Sequence, residues 1–375
     1  MSHLASVGQH DRSGRRNVQR RDSNTHGKDA EVAQLDAAKG AERNVRRFRR
    51  HRFSSEIRQE MRALSQSKDN LHGVAAAAED AVIITLAVAL SIWTPIFYPL
   101  SLVLIGTRHR ALATILHESS HYTFCRTRWL NRVFGMIAGW SIFQTFYAYR
   151  ASHVEAHHPH LGDESRDPDL INYQNQGLFE ADARDLVRKH FLPLLLGLKT
   201  WVNFGNLVRD RLLPRSWDAL PSAAKWEYCG FITFWVVIAA TCYHFGLLLE
   251  LALFWFLPYF TVFQATNWLI ELAEHFPLIR LYDAELYMTR NRRGPWIERF
   301  FTGMHGENWH LVHHLVPGIP FWKLAQAHEI MMKDPVYAAA NEKSGGLVMN
   351  GPAGEPSIVS LLGEQLAETQ RHAKI

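Results

Sequence analysis

The chain has 375 residues, a mean hydropathy of −0.16 and a net charge of +5, which allow one large or two ordinary domains with a core. Its three cysteines form no CxxC pair, so neither a disulfide framework nor a thiolate metal site is supported. Residues 1–70 carry 16 Lys and Arg against 9 Asp and Glu, so this polar stretch hides the apolar character of the rest. Twenty-one histidines and twelve tryptophans suit a metal site beside a membrane interface.

Residues 1–55 have no sustained apolar period and are predicted to form a disordered basic tail without chemistry. The basic run at 46–52 could bind nucleic acid or anionic lipid, or simply be solvated. Because a hydrophobic segment follows, we favour contact with the cytoplasmic leaflet, a topology signal and no nucleic-acid partner. No signal peptide is expected.

Residues 81–105 form an uncharged stretch that is long enough to cross a membrane once. Thr94-Pro95 and Pro99 interrupt this stretch, so a hairpin of two helices competes with a single span. The second helix would begin near Ile96 and continue to His117. This helical continuation favours the hairpin.

Two histidines in the segment 117–121 are four residues apart. On a helix, His117 and His121 share one face and can chelate one metal ion. The same HExxH pattern is the signature of zinc metalloproteases, with Glu118 as general base. The pentapeptide alone does not choose between zinc and iron.

A second histidine cluster follows an apolar segment at 129–149, which is typical of a helix lying in the membrane interface. It contains His153, His157 and His158. Pro159 should end the helix, so His160 is expected beside the site or at the surface. In the acidic loop 162–169, Asp167 either bonds the outer nitrogen of a ligating histidine or is simply solvated.

Residues 176–226 are predicted to form membrane-surface helices, and 228–245 with 247–272 a second hairpin. Polar groups at the end of a membrane helix are costly unless they are used. Asn267, Glu271 and His275 lie four residues apart on one helical face. His275 is therefore either a candidate ligand or an ordinary interfacial histidine.

The third cluster holds four histidines within residues 305–314. His310, His313 and His314 have the i, i+3, i+4 spacing that brings imidazoles together on one helical face. His305 falls off that face and is expected to support the ligands rather than to be one. The preceding residues 280–304 are basic and aromatic, which suggests the cytoplasmic face. Residues 341–375 are interpreted as a C-terminal tail.

Two hairpins would return the chain to its starting side, so that all these clusters lie on one face. Arginine-rich flanks predict that this face, and both termini, are cytoplasmic. Eight imidazoles, or nine with His275, exceed the three or four ligands of one zinc ion. The surplus indicates two metal ions, and nitrogen ligation with few carboxylates suits iron.

The ordered boxes H-x3-H, H-x3-HH and H-x2-HH, interleaved with two hydrophobic hairpins, resemble the membrane fatty acid desaturase superfamily over roughly residues 70–335. We assign residues 56–340 to this domain. The resemblance implies an all-α integral membrane protein with about four transmembrane helices in two hairpins and a cytoplasmic helical cap. It also implies a non-haem di-iron centre held by these ligands: His117, His121, His153, His157, His158, His275, His310, His313 and His314.

One feature departs from the superfamily pattern. An asparagine commonly holds a metal-bound water there, whereas this chain has Glu271 at the corresponding position and Asn267 one turn earlier. The water-holding role is therefore left open between these two residues.

The segments around the three boxes are most similar to the bacterial dihydrorhizobitoxine desaturase branch. This resemblance implies a multi-pass enzyme of the bacterial inner membrane that uses O2 to introduce a carbon–carbon double bond. The substrate would be dihydrorhizobitoxine, an enol-ether amino acid precursor, or a fatty acyl chain. Because no HPGG cytochrome b5 motif occurs in the chain, an external donor such as a ferredoxin is expected to supply electrons. The basic residues 290–293 are expected to form the docking face for such an acidic donor.

Three other functions remain open from the residues. A hydroxylase or ketolase on the same scaffold would share the ligands. A membrane zinc protease would use His117, Glu118 and His121 but leave six histidines unexplained. A non-catalytic metal-binding membrane protein would need no substrate.

Overall fold

The computed structural model describes residues 48–213, 216–218, 220–341 and 343–372. Most of the predicted basic tail, residues 1–47, lies outside the described residues. Across the described ranges all regular secondary structure is helical. One isolated backbone bridge joins Arg49 to Ala284. The prediction of an all-α protein is confirmed.

The first hydrophobic stretch forms a hairpin. After α1 (Ser55–Gln66), α2 (Leu71–Trp93) ends where Thr94 is extended before Pro95, and a 3-10 turn (Pro95–Phe97) leads into α3 (Tyr98–Ser120). Ser101 Oγ donates to Ala87 O at 2.7 Å, which fastens the two helices together. The preference for a hairpin over one long span is therefore confirmed.

The middle of the chain consists of shorter helices around the histidine clusters and along the apolar surface. The α-helices here are α4 (Arg128–Ser141), α5 (Phe146–Ser152), α6 (Pro168–Asn175), α7 (Ala183–Asp185), α8 (Leu192–Leu195) and α9 (Thr200–Leu207). Wider π turns continue three of these helices, at His153–His157, Leu186–Phe191 and Val208–Leu212.

The second hairpin starts with α10 (Ser222–His244), which turns at Gly246 (φ 70°). The returning limb, Leu248–Leu281, is interrupted by π turns around Pro258, which has no N–H to donate. It comprises α11 (Leu248–Leu251), the π turns Ala252–Phe256 and Tyr259–Phe263, α12 (Gln264–His275) and α13 (Leu278–Leu281).

Three helical segments in the described chain are long and apolar enough to cross a membrane: Leu71–Trp93, Ser222–His244 and Leu248–Leu281. The helix α3 has the same length as the first two but carries Arg108, His109 and Arg110 in its interior, all buried. These charges lower its hydropathy although the helix is enclosed by protein.

The helix α3 and the segment 248–275 run side by side and lead to the same place. Tyr98 at the start of α3 donates its hydroxyl to Leu253 O at 2.8 Å. Further along, Gly106 packs so closely on Val262 that an added Cβ would lie 2.5 Å from the valine Cβ. Both elements end in candidate ligands, α3 at His117 and α12 at His275.

The remaining helices cover the histidine clusters. They are α14 (Glu285–Met288), α15 (Trp296–Thr302), α16 (His310–Leu315), α17 (Leu324–Met331), α18 (Pro335–Asn341) and α19 (Ile358–His372). The helix α19 differs from the expected C-terminal tail. Ile358, Leu362 and Leu366 are buried in one apolar cluster with Leu170 and Phe276, because their spacing of four places them on one helical face.

Candidate metal centre

The helix α3 presents the first histidine pair. His117 lies in its last turn and His121 directly follows it, with 5.0 Å between the two ring centroids. The helix stops here because Tyr122 adopts a left-handed conformation (φ 58°). His121 Nε2 is buried without a hydrogen-bond partner among the described residues. An unpaired buried ring nitrogen fits a metal ligand.

The middle cluster lies on a π turn rather than on a regular helix. His153 and His158 have the i, i+5 spacing of this wider turn, and their Nε2 atoms are 3.1 Å apart. His157 points instead towards His275, with 3.2 Å between their Nε2 atoms. His153 and His157, four residues apart, remain neighbours with ring centroids 5.3 Å apart and form a further possible ligand group with Asp169. The π turn adds the i, i+5 pairing of His153 with His158. Such turns are frequent at functional sites.

The third cluster lies on the short helix α16. His310 and His314 have their Nε2 atoms 3.1 Å apart, whereas His313 Nε2 lies 3.2 Å from that of His158. The start of this helix is held by Asn291, whose Oδ1 accepts Leu311 N at 3.0 Å and Val312 N at 3.3 Å. Asn291 is a positioning residue that sequence reasoning missed.

The nine candidate ligands converge as two groups. We call them the five-histidine group and the four-histidine group. Within the first, one ligand atom per residue lies within 4.8 Å of every other, and the same holds for three members of the second. His310 joins the second because its Nε2 lies 2.9 Å from that of His275. The five-histidine group is His117, His121, His153, His158 and His313, and the four-histidine group is His157, His275, His310 and His314.

Acceptors hold the outer nitrogens of several of these rings. His157 Nδ1 lies 2.8 Å from Asp167 Oδ1, and both side chains are fully buried. His117 Nδ1 lies 3.0 Å from Glu118 Oε1, and Thr123 donates to the other carboxylate oxygen. Glu118 therefore orients a candidate ligand, a role different from that of the general base in a zinc protease.

The ring orientations leave lone pairs facing one another. A neutral imidazole carries one proton, so a neutral His157 that donates from Nδ1 to Asp167 would have an unprotonated Nε2, the form that binds a metal. His275 Nδ1 lies 3.3 Å from Met288 O, which also requires a donor at Nδ1. The two Nε2 atoms are nevertheless 3.2 Å apart. Two lone pairs at this distance repel each other unless a cation lies between them, so the arrangement fits a metal ion.

Burial favours the neutral form of six of these rings, all outside the candidate membrane spans. Burial, and then the charge of neighbouring imidazoles, lowers their pKa well below the ordinary value of histidine. Neutral imidazole is the form that binds a metal. This applies to His121, His153, His158, His310, His313 and His314.

A buried network of charges backs the four-histidine group. His310 Nδ1 lies 3.6 Å from Glu274 Oε1, which accepts from Arg292 at 3.2 Å. Glu307 lies between Arg292 and Arg110 and pairs with both. A buried charge that lacks a partner is costly, so these ion pairs offset the cost of holding the two arginines inside the fold.

The network overturns the predicted docking face at residues 290–293. Arg290 and Arg292 are 6% and 1% exposed, because Arg290 donates to Phe276 O and Gln365 and Arg292 pairs with Glu274. Arg293 pairs with Glu355 at 2.5 Å. Sequence alone shows the charge of these residues, whereas their burial depends on distant partners.

Four predicted supporting residues lie outside both groups. Asn267 and Glu271 line a cavity of about 120 Å3 together with His275. His305 points away, because it and Gly306 are left-handed (φ 51° and 72°), and its Nε2 lies 2.7 Å from Asp80 Oδ2. His160 is half-buried and belongs to neither group.

These features define a helical membrane protein with a buried histidine cluster that could hold metal. The fatty acid desaturase family profile matches residues 93–342, which include all three histidine clusters. The chain belongs to this family and is an oxidoreductase that introduces double bonds.

Three curated relatives refine this assignment. Dihydrorhizobitoxine desaturase of Bradyrhizobium elkanii is 38% identical over 325 residues, 85% of this chain and 91% of the relative. An sn-1 acyl-lipid omega-3 desaturase (ferredoxin) of Nostoc sp. (strain 36) is 25% identical and covers 62% of this chain and 67% of its own length. The endoplasmic reticulum omega-3 fatty acid desaturase of Nicotiana tabacum is 24% identical over 69% and 72%. The resemblance to the desaturase superfamily, and to its dihydrorhizobitoxine desaturase branch, is confirmed.

Proposed function

We propose that this desaturase holds two iron ions, one in each histidine group, and uses O2 to convert dihydrorhizobitoxine to rhizobitoxine. The observation that carries the proposal is the 3.2 Å approach of the Nε2 atoms of His157 and His275, whose outer nitrogens each lie beside an acceptor. Nitrogen ligands suit iron. Nine histidine rings in two groups exceed what one zinc ion binds.

Iron bound at these positions would supply the oxygen chemistry, and the chain would provide position and exclusion of water. In the overall reaction, one substrate CH2–CH2 unit, O2, two electrons and two protons give CH=CH and two water molecules. Asp167 and Glu118 orient His157 and His117 through their outer nitrogens. Burial of His157, His275 and His310 keeps bulk water away from the centre.

We place α3 as a fourth membrane helix in addition to the three apolar segments, giving two hairpins. Tyr98 OH bonds Leu253 O, which supports both hairpin tips lying at one end, opposite the histidine clusters. Exposed apolar side chains such as Leu86 on α2 and Val236 on α10 would face lipid. The basic segment before α2 supports a cytoplasmic location for the clusters and both termini, in a bacterial inner membrane.

The substrate proposal comes from the relative that covers most of this chain, because its name specifies dihydrorhizobitoxine. The two other relatives are named for acyl lipids and fatty acids, so an acyl chain is the competing substrate. The name of the Nostoc protein includes ferredoxin, which supports a small external electron carrier here as well.

Metal analysis and product mass test the proposal together. The purified full-length enzyme should contain two iron ions per chain, and reduced ferredoxin with O2 should yield a product lighter by two hydrogens. One zinc ion and no iron would contradict the metal assignment. A product heavier by one oxygen would make the enzyme a hydroxylase.

A further inference from the structure

The cavity beside the histidine groups has an unusually polar wall. Its lining includes His117, His275, His310 and His313, so it opens directly on both groups. In the described chain, amide side chains outnumber aliphatic ones along the rest of the wall. These amides include Gln144, Asn172, Asn203, Asn206, Gln264 and Asn267. A site built for an alkyl chain is expected to be lined mainly by apolar side chains.

Two glutamines on this wall have unsatisfied polar atoms. Gln144 and Gln264 are 5% and 3% exposed. The acceptor Oε1 of Gln144 and the donor Nε2 of Gln264 are both buried without a hydrogen-bond partner among the described residues. A buried polar atom without a partner is costly, so an occupant of the cavity should supply the missing partners.

The two glutamines are held on a rigid frame. Gln144 follows α4, and Gln264 begins α12. Tyr259 is fully buried and donates its hydroxyl to Ile142 O at 3.0 Å, which ties the segment before Gln144 to the limb that carries Gln264. Trp255 Nε1 adds a bond to Ser141 O at 3.0 Å. The two amides are therefore positioned before any ligand binds.

We infer that Gln144 and Gln264 are substrate-binding residues that select a small polar substrate carrying both a hydrogen-bond donor and an acceptor. This inference rests on the proposed function, because it assigns the polar end of an amino-acid substrate to this cavity. The unpaired Oε1 accepts from a substrate N–H or O–H, and the unpaired Nε2 donates to a substrate oxygen. An alkyl chain offers neither partner.

Binding without turnover tests the inference. Iron-loaded full-length enzyme in lipid nanodiscs would be titrated anaerobically with dihydrorhizobitoxine, by calorimetry, for wild type, Gln144→Leu and Gln264→Leu. We expect the dissociation constant to rise about tenfold in each variant, because one hydrogen bond to a buried group is lost. Gln326→Leu is the matched control, since Gln326 is exposed and bonds only Lys323 among the hydrogen bonds described.

The variants Gln144→Met and Gln264→Met repeat the measurement with a flexible side chain that fits the same space and has no strong hydrogen-bonding group. A loss of affinity shared by the leucine and methionine variants is then due to the missing hydrogen bond rather than to misfolding. Iron content should equal that of wild type in every variant. Unchanged affinity in both leucine and methionine variants would overturn the inference and leave the desaturase proposal intact. A wild-type enzyme that ignores dihydrorhizobitoxine but desaturates oleoyl phospholipid would also overturn it. Glutamine-dependent binding without oxidation would support this inference and contradict the proposed reaction.

Discussion

The helices α3 and α10 have the same length of 23 residues and opposite surroundings. Fifteen residues of α3 are buried, among them Arg108 and Arg110, whereas α10 buries only Ala224 and Glu227. Apolar side chains cover the outside of α10, as lipid requires, while α3 is enclosed by other helices. Hydropathy therefore finds α10 readily and passes over α3, although α3 carries the first histidine pair. Of these two helices, the one that carries candidate metal ligands is the less apolar.

The largest expected difference between the two helices comes from their last-turn histidines. Each helix has one, His117 in α3 and His244 in α10. The variant His117→Ala removes a member of the five-histidine group and should lower desaturation by at least about 100-fold, because even changes behind a metal ligand cost 10–100-fold. His244→Ala removes an exposed ring and should retain wild-type activity. Iron content and product yield, measured side by side for the two variants, test this prediction. An equal loss of activity in His117→Ala and His244→Ala would contradict the assignment of His117 as a metal ligand.

The charges inside α3 offer the next test. Asp80 on α2 pairs with Arg108 at 3.3 Å and His305 at 2.7 Å, and both Asp80 and Arg108 are almost fully buried. Asp80→Asn leaves Arg108 without its carboxylate and should lower the free energy of unfolding by about 3 kcal/mol.

On α10, Val236→Ala trims a side chain that is 60% exposed and should change this free energy by less than about 0.5 kcal/mol. Denaturation in mixed micelles measures both variants. A stable Asp80→Asn protein would show that the interior charges of α3 contribute little.

Each helix also has one buried carboxylate, and replacing it should affect iron binding in α3 but folding stability in α10. Glu118 contacts His117, so Glu118→Gln should weaken iron binding about 10–100-fold. Glu227 instead accepts Phe146 N at 2.5 Å and Tyr147 N at 3.1 Å, which fixes the start of α5. Glu227→Gln should lower the free energy of unfolding by about 1–3 kcal/mol. Iron titration combined with thermal unfolding separates these effects, and a stable, iron-poor Glu227→Gln protein would reverse their roles.

The smallest effect concerns pH and contrasts a buried histidine with the exposed His244. Burial, and then the charge of Arg293, lowers the pKa of His328 to about 4, while Tyr337 OH lies 2.8 Å from its Nδ1. Below pH 6.5 the unfolded chain binds a proton that the folded chain does not, so the stability contributed by His328 is lost as pH falls from 6.5 towards 4.

The variant His328→Asn should reduce the loss of stability between pH 7 and 5 by about 1–2 kcal/mol. His244→Asn should keep the wild-type pH slope. Unfolding curves recorded at several pH values provide the measurement. Identical slopes in wild type and His328→Asn would show that the ring does not respond as its burial requires.

Much of the site follows from local patterns. Histidines at helical spacing, and a proline that splits an apolar stretch, are visible in the sequence because both act within a few residues. The i, i+5 pairing of His153 with His158 is not visible, because a π turn has no local signature. The burial of Arg292 is equally hidden, since this loop residue pairs with Glu274, which lies 18 residues earlier in α12. The helix α19 could have been found, because Ile358, Leu362 and Leu366 repeat every four residues.

The position of α19 has a consequence for the order of synthesis. Its Leu366 completes the apolar cluster that also holds Leu170, close behind the loop of Asp167, and Gln370 donates to Phe179 O and Ala181 O. The ribosome makes α19 only after it has made all nine histidines. The support of the middle histidine cluster is therefore completed later than the histidines themselves, and metal insertion is expected to follow the synthesis of α19.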